Sequence, residues 1–282
     1  MEKVHLIFDL SKCVGCYNCL MACKDEYVDN CWLPYTDRQQ KQGQKWIETV
    51  RHERGQVPHT DLCFLTKLCQ HCDNAPCERA FPNAVKKRED GIVLLDPEQA
   101  KGNKELVKAC PYGMISWNEE LQSAQKCTMC AHLLDDGWKE PRCVQACPLR
   151  ALSIVKCEDA QFETIIKNQS LKTITDGSNK PRVYYKNLDR CTRHFIAGGL
   201  SYLDGETEKA AAEAAVQLSL DGTVLSQMQT DLFGEFKFDH IPPHTGPFTI
   251  TCAMEGYVPA QVQTQVADES VCLELIRLEK QN

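Results

Sequence analysis

No stretch of the 282 residues approaches the run of about eighteen apolar residues that a helical bilayer crossing needs, so no membrane span is expected. The opening residues, MEKVHLIFDLSKC, lack a basic leader, a long apolar run and a twin-arginine pair. They do not read as a secretory signal, and a cytoplasmic location is expected. Also missing are the glycine fingerprint of a dinucleotide site, a P-loop and a plausible nucleophile triad. Positive charge is in deficit: 32 Lys and Arg against 39 Asp and Glu leave a formal net charge of −7, which argues against a nucleic-acid partner.

Cysteine is what the chain has in excess, with 18 residues. Without a secretory leader, clustered C-x2-C spacings favour metal over disulfides. The first run, 13-CVGCYNCLMAC-23, supplies Cys13, Cys16, Cys19 and Cys23 in the C-x2-C-x2-C-x3-C spacing of a [4Fe–4S] loop. A zinc knuckle, four ligands closing on one ion, is the alternative. The second run, 69-CQHCDNAPC-77, supplies Cys69, Cys72 and Cys77; it suits a cubane loop, or half a zinc site. The last run joins 127-CTMC-130 to 143-CVQACP-148 and supplies Cys127, Cys130, Cys143 and Cys147, the intervening AHLLDDGWKEPR only lengthening the loop.

One Cys-Pro pair, Cys110-Pro111, closes a run whose first three ligands are missing. The places they would occupy hold Leu106, Asn103 and Ala100. Two-cluster ferredoxins cross-pair their runs, three ligands of one taking the fourth from the other. By that rule the second run needs a closing cysteine before Pro82, where Phe81 stands instead. The absent ligands then belong to a single cluster site, lost as a set. Three sets of four are left: Cys13, Cys16, Cys19 with Cys147; Cys127, Cys130, Cys143 with Cys23; and Cys69, Cys72, Cys77 with Cys110. Phe81 and Leu106 are expected to fill the vacated space, since a void would cost stability. The six remaining cysteines, Cys31, Cys63, Cys157, Cys191, Cys252 and Cys272, are isolated and expected to be free, buried and structural; Cys63, six residues before Cys69, is the first candidate for an exception, although its spacing fits no cubane loop. The four tryptophans, Trp32, Trp46, Trp117 and Trp138, are expected in the core more than at an interface.

Four ferredoxin runs with Cys-Pro endings and a long loop in the last resemble the iron–sulfur subunits of the dimethyl-sulfoxide-reductase family of molybdenum enzymes. The stretches 70-QHCDNAPC-77, 89-EDGIVLLDPEQAKG-102, 110-CPYGMISWNEE-120, 126-KCTMCAHLLDDGW-138, 180-KPRVYYKNL-188 and 230-TDLFGEFKF-238 are similar to a three-cluster branch, the small subunits of pyrogallol–phloroglucinol transhydroxylase and its relatives. The resemblance implies an electron-transfer subunit with three [4Fe–4S] clusters and no catalytic site in this chain. It also implies a large catalytic subunit carrying molybdenum or tungsten on two pyranopterin guanine dinucleotides and acting on a hydroxylated aromatic such as pyrogallol. A related electron-exporting phenol hydroxylase or reductase, resorcinol-hydroxylase-like, is the alternative assignment, and a free polyferredoxin a third.

The expected architecture is an α+β, ferredoxin-like tandem [4Fe–4S] domain over residues 1–155, then an all-β prealbumin-like or immunoglobulin-like sandwich. Residues 4–10 and 151–155 are expected as strands flanking the cluster loops. Residues 24–68 form an insertion too long for a simple loop, either a cover over the clusters or a docking surface. Residues 156–195 read as a wrapping connector, with a short amphipathic helix in EDAQFETIIKNQ and an extended RVYYKNL. From about 196 to 282, period-two alternation around Asp221-Gly222 and in FGEFKFDHI, PFTITCAM and QVQTQV predicts the sandwich, carboxypeptidase-regulatory-like in pattern.

A cubane core with four thiolates is formally about −2, so three would bring the loaded chain to roughly −13. Buried anionic sites need backbone N–H groups and nearby cations. Lys12, Lys126, Arg142 and Arg150 flank the ligands and are candidates, unless they are ordinary solvated charges. Iron and acid-labile sulfide should each number about twelve per chain by chemical analysis; a value near sixteen would reject the loss of a whole ligand set.

Overall fold

A computed structural model describes residues 2–281. The chain divides into two compact units, one made of residues up to Arg51 together with Phe64–Leu188, the other of His52–Cys63 together with the chain from Asp189 onward. Most regular structure is β, distributed over several small sheets.

In the first unit the apolar run VHLIFD forms the strand Lys3–Asp9, which pairs antiparallel with Leu152–Cys157 and parallel with Val183–Lys186. The register sets Phe8 opposite Leu152, and Asp9 N–H donates to Ala151 O at 2.8 Å. The loop entering at Cys13 and the Cys147-Pro148 turn therefore emerge at the same end of this sheet. Helix Asn18–Tyr27 carries Cys19 and Cys23 one turn apart, about 6 Å along its axis. It packs against the short helix Arg142–Gln145, which carries Cys143. Two hairpins hold the other runs. Val85–Lys87 with Val93–Leu95 follows Cys77, and Ile115–Asn118 with Ser123–Lys126 links Cys110 to Cys127.

The connector is tied to the second cysteine run through its backbone. Asp73 N–H donates to Lys180 O at 2.9 Å, Asn74 N–H to Asn179 O at 3.1 Å, and Arg182 N–H to Gln70 O at 2.8 Å, so residues 179–182 brace the Cys69–Cys72 loop. EDAQFETIIKNQ is helical over Asp159–Gln169 with a Glu158/Gln161 capping box, and its Phe162 stacks on His5 at 3.6 Å. Arg182 is fully buried yet grips Asp73 through two 2.7 Å bonds and Asp159 through one of 3.1 Å. Burial alone would raise the Asp159 pKa; the Lys3 and Arg182 hydrogen bonds overcome it and hold the carboxylate at about 2. Gly91 makes room for the guanidinium, because a Cβ there would lie 2.5 Å from Arg182 Nε.

In the second unit the alternating segments are strands. Ala215–Leu220 and Thr223–Gln229 join through Asp221 and Gly222, both at positive φ (47° and 78°), as a two-residue hairpin turn requires. With Thr245–Ala253 and Ala260–Val266 they make a four-stranded sheet. A five-stranded sheet is built on the long strand His194–Asp204, flanked by Thr207–Ala210 and Glu235–Ile241. Ile196 and Phe236 from one sheet and Val216 and Ile250 from the other share one apolar core. The stretch 24–68 is chiefly a hairpin, Ile47–Gln56 with His59–Leu68, and its tip groups with this second unit. There Arg54 bonds to Asp61 and, at 2.9 Å, to Asp239.

Two cysteine expectations are corrected. Cys63 and Cys191 are not free but form a disulfide, with Cα atoms 6.0 Å apart across 128 residues of sequence. Spacing along the chain carries no trace of such a pairing, because folding alone brings the middle of the strand His59–Leu68 to the helical turn Asp189–Thr192. Cys31 is exposed rather than buried, in the loop after the first long helix, whereas Cys157 and Cys252 are buried as expected. Of the tryptophans, Trp46 is buried and Trp138 exposed. No helix among the described residues is long and apolar enough to cross a membrane.

Replacing Arg182 by Met keeps the packed stem but leaves Asp73 with Lys87 and Asp159 with Lys3 in place of the bridging guanidinium. Such a variant should lose about 2–3 kcal/mol of stability in anaerobic chemical denaturation, as expected for charged hydrogen bonds on a buried guanidinium.

Candidate metal centres

The twelve cysteines of the runs gather into three groups. Cys13, Cys16, Cys19 and Cys147 line one pocket, closed by Phe8, Val14 and Leu149. Burial pushes the Cys19 thiol up to about 11, and the neighbouring Cys13, Cys147 and Cys16 push the same way. In the second group Cys23, Cys127, Cys130 and Cys143 are all buried. Burial, then the charges of Cys130, Cys127 and Cys23, lift the Cys143 thiol far above its ordinary range. In the third, burial and then Cys69, Cys110 and Cys77 push Cys72 up to about 12. Each group is a set of thiols near enough to repel one another once ionised, in surroundings that disfavour charge.

The groups are near neighbours. Cys19 acts on Cys23 and on Cys143, so the first set adjoins the second. Cys69 is, after burial, the strongest influence on Cys127, which is itself pushed up to about 12, so the second adjoins the third.

Backbone conformation aims N–H groups at the sulfurs. The loops turn through left-handed residues: Gly15 and Tyr17 in the first run, His71 in the second, Met129 and Cys130 in the last. Met129 N–H donates to Cys127 Sγ at 3.3 Å, Ala151 N–H to Cys147 Sγ at 3.2 Å and Met114 N–H to Cys110 Sγ at 3.5 Å. Such bonds favour the thiolate and tune a bound cluster. The Tyr27 hydroxyl, 2.7 Å from Thr128 Oγ1, also reaches the Cys130 sulfur.

Beside the third group, the positions where a further ligand set is missing are filled. Ala100 and Leu106 are fully buried, and Phe81 packs with them in the apolar core that also holds Cys72 and Cys77. Asn103 sits between them as the residue before the 3-10 turn Lys104–Ala109. Sequence reasoning missed His71, Tyr27 and Phe64, whose ring lies against Gly15. Only tertiary contact reveals Tyr27 and Phe64, while the signal for His71 was its place inside C-x2-C.

The donor sets suit a cluster with a cationic core. Four thiolates offset the charge of several ferric and ferrous irons, and among the described residues no three His, Cys, Asp or Glu side chains close tightly enough to hold a single ion. The family model described as a 4Fe-4S dicluster domain matches residues 60–157, which contain the second run, Cys110 and the whole last run. The pyrogallol hydroxytransferase small subunit of Pelobacter acidigallici is 40% identical over 99% of this chain and 100% of its own. The chain belongs to the family of that small subunit. A tetrathionate reductase subunit of Salmonella typhimurium is 31% identical over 67% of this chain and 74% of its own. The arsenate respiratory reductase iron–sulfur subunit of a Shewanella is 27% identical over 65% and 95% respectively. The resemblance to iron–sulfur subunits of the dimethyl-sulfoxide-reductase family, drawn above from the cysteine runs, holds.

Gly15 has φ +67°, and a Cβ there would come within 2.4 Å of the Phe64 ring. Gly15→Ala should therefore displace the loop of Cys13, Cys16 and Cys19 and lower the iron content of the purified protein. Gly177→Ala, also at positive φ but with nothing within 4 Å, should leave iron unchanged.

Proposed function

We propose that this chain is the electron-transfer small subunit of a hydroxytransferase acting on hydroxylated aromatic rings, with three [4Fe–4S] clusters in a line. The clusters are held by Cys13, Cys16, Cys19 and Cys147, by Cys23, Cys127, Cys130 and Cys143, and by Cys69, Cys72, Cys77 and Cys110. A cubane with four thiolate ligands supplies one-electron transfer and leaves no iron open to substrate. What supports the reading is the pocket lined by Cys13, Cys16, Cys19 and Cys147, which joins the first and last runs, together with the 40% identity to a hydroxytransferase small subunit.

The residues of this chain then have defined tasks. The cysteine loops fix cluster positions, their backbone N–H groups offset anionic charge, and Phe81, Ala100 and Leu106 fill a space that a further cluster would need. Helix Asn18–Tyr27 links the first two groups by offering Cys19 to one and Cys23 to the other. Catalysis belongs to a large partner subunit carrying molybdenum or tungsten on two pyranopterins; the small subunit conducts electrons, and the pair works in the cytoplasm. The first unit is read as a tandem ferredoxin-like fold. The C-terminal unit is read as a prealbumin-like sandwich that adds surface for the large subunit.

Cys110 tests the cross-pairing most directly, because local spacing alone does not attach it to Cys69, Cys72 and Cys77. Cys110→Ala should lose one cluster, about four of twelve irons, and the low-temperature EPR of the reduced complex should lose the signal of that cluster alone. Loss of the signal that Cys13→Ala also removes would overturn the assignment.

A further inference from the structure

Lys126 ends the strand Ser123–Lys126 and immediately precedes Cys127. It is 2% exposed and among the largest fully buried side chains of the protein. Its Nζ donates to Cys127 O at 2.9 Å and to Val93 O. The N–H of the same Val93 donates to His71 Nδ1 at 3.1 Å, so this one residue is held between the lysine and the imidazole. No carboxylate among the described residues pairs with the Lys126 ammonium. An ammonium buried without a counter-ion costs several kcal/mol, so the negative charge that offsets it must lie close by.

The nearby groups that can carry that charge are sulfurs of two different sets. Lys126 Nζ binds the carbonyl of Cys127, and the Val93 that accepts its other bond packs in one apolar core with Cys72 and Cys77, against which Cys110 also lies. Cys77 and Cys110 belong to the third group, Cys127 to the second. Of the other cations near the ligands, Lys87 is bound to Asp73, Arg142 to Glu26 at 3.1 Å and Arg150 to Glu140, Lys12 is exposed, and Lys24, beside Cys23 of the second group, donates to Gln40 O at 2.6 Å.

We propose that Lys126 is a charge-compensating residue shared by two adjacent clusters, raising the reduction potential of both and easing the repulsion between them. The inference rests on the three-cluster reading above. Reduction adds one electron to a site already formally near −2, and a fixed positive charge at low dielectric favours that addition at both neighbours. Neither Lys126 Nζ nor the N–H of Val93 bonds to Cys13, Cys16, Cys19 or Cys147.

The test is an anaerobic redox titration of the intact complex with dithionite and mediators, followed by EPR, for wild type, Lys126→Met, Lys126→Gln and Lys126→Arg. Iron per chain is measured first. A native value far from about twelve rejects the three-cluster reading itself, independently of any variant. With that established, the Met and Gln variants should retain iron and show two midpoint potentials shifted downward and one unchanged. Arg should keep all three near native. If Met and Gln lose iron from the two groups while Arg retains it, the shared charge is again the agent. Unchanged potentials, a shift at one cluster only, or iron loss in Arg as well would overturn the proposal.

Discussion

A thiolate buried beside three other thiolates is unstable unless something cationic sits among them, and the first unit is organised around that instability. Burial and mutual repulsion both push these thiols toward the protonated form. Iron reverses the balance, and the protein prepares for it by turning its loops so that peptide N–H groups point at sulfur. Gly15, Tyr17, His71, Met129 and Cys130 adopt the left-handed backbone for this reason. The small size of the surrounding strands and helices follows: the centres, more than an extended sheet, supply cohesion.

Neutral scaffolding and charge are kept apart. The apolar core formed by Ala100, Leu106 and Phe81 packs against Cys72 and Cys77. Positive charge is placed more sparingly. Arg182 anchors the connector to Asp73 beside the Cys69–Cys72 loop, and Lys126 is buried against the carbonyls of Cys127 and Val93.

Much of this was legible from residue order, for reasons that differ by region. The iron–sulfur family could be read because clustered C-x2-C runs with Cys-Pro endings keep a cluster's ligands local in sequence. The strands around Asp221-Gly222 could be read because burial of one sheet face forces a period of two. Arg182 and Lys126 were not legible as buried groups, since their type points to solvent and only the fold supplies carbonyls and carboxylates to receive them. The hairpin Ile47–Gln56 with His59–Leu68 was hidden in a charge-rich stretch, where half-buried alternation is weak. Cys63 with Cys191 was hidden by distance along the chain.

That disulfide also makes the protein partly circular. Between its ends lies every residue from 64 to 190, and with them the cysteines of the third group and all of the last run. Cys13, Cys16, Cys19 and Cys23 alone of the twelve lie outside the ring. In the chain-entropy account a closed loop of this length removes on the order of 5 kcal/mol of disorder from the unfolded ensemble. A chain stripped of iron would thus keep eight of its twelve sulfurs tethered within a closed loop, while the first run remains on a free arm. Metal loss would then be a reversible loosening for two-thirds of the ligands, and reassembly would turn on the return of the N-terminal strand to its place beside Leu152–Cys157.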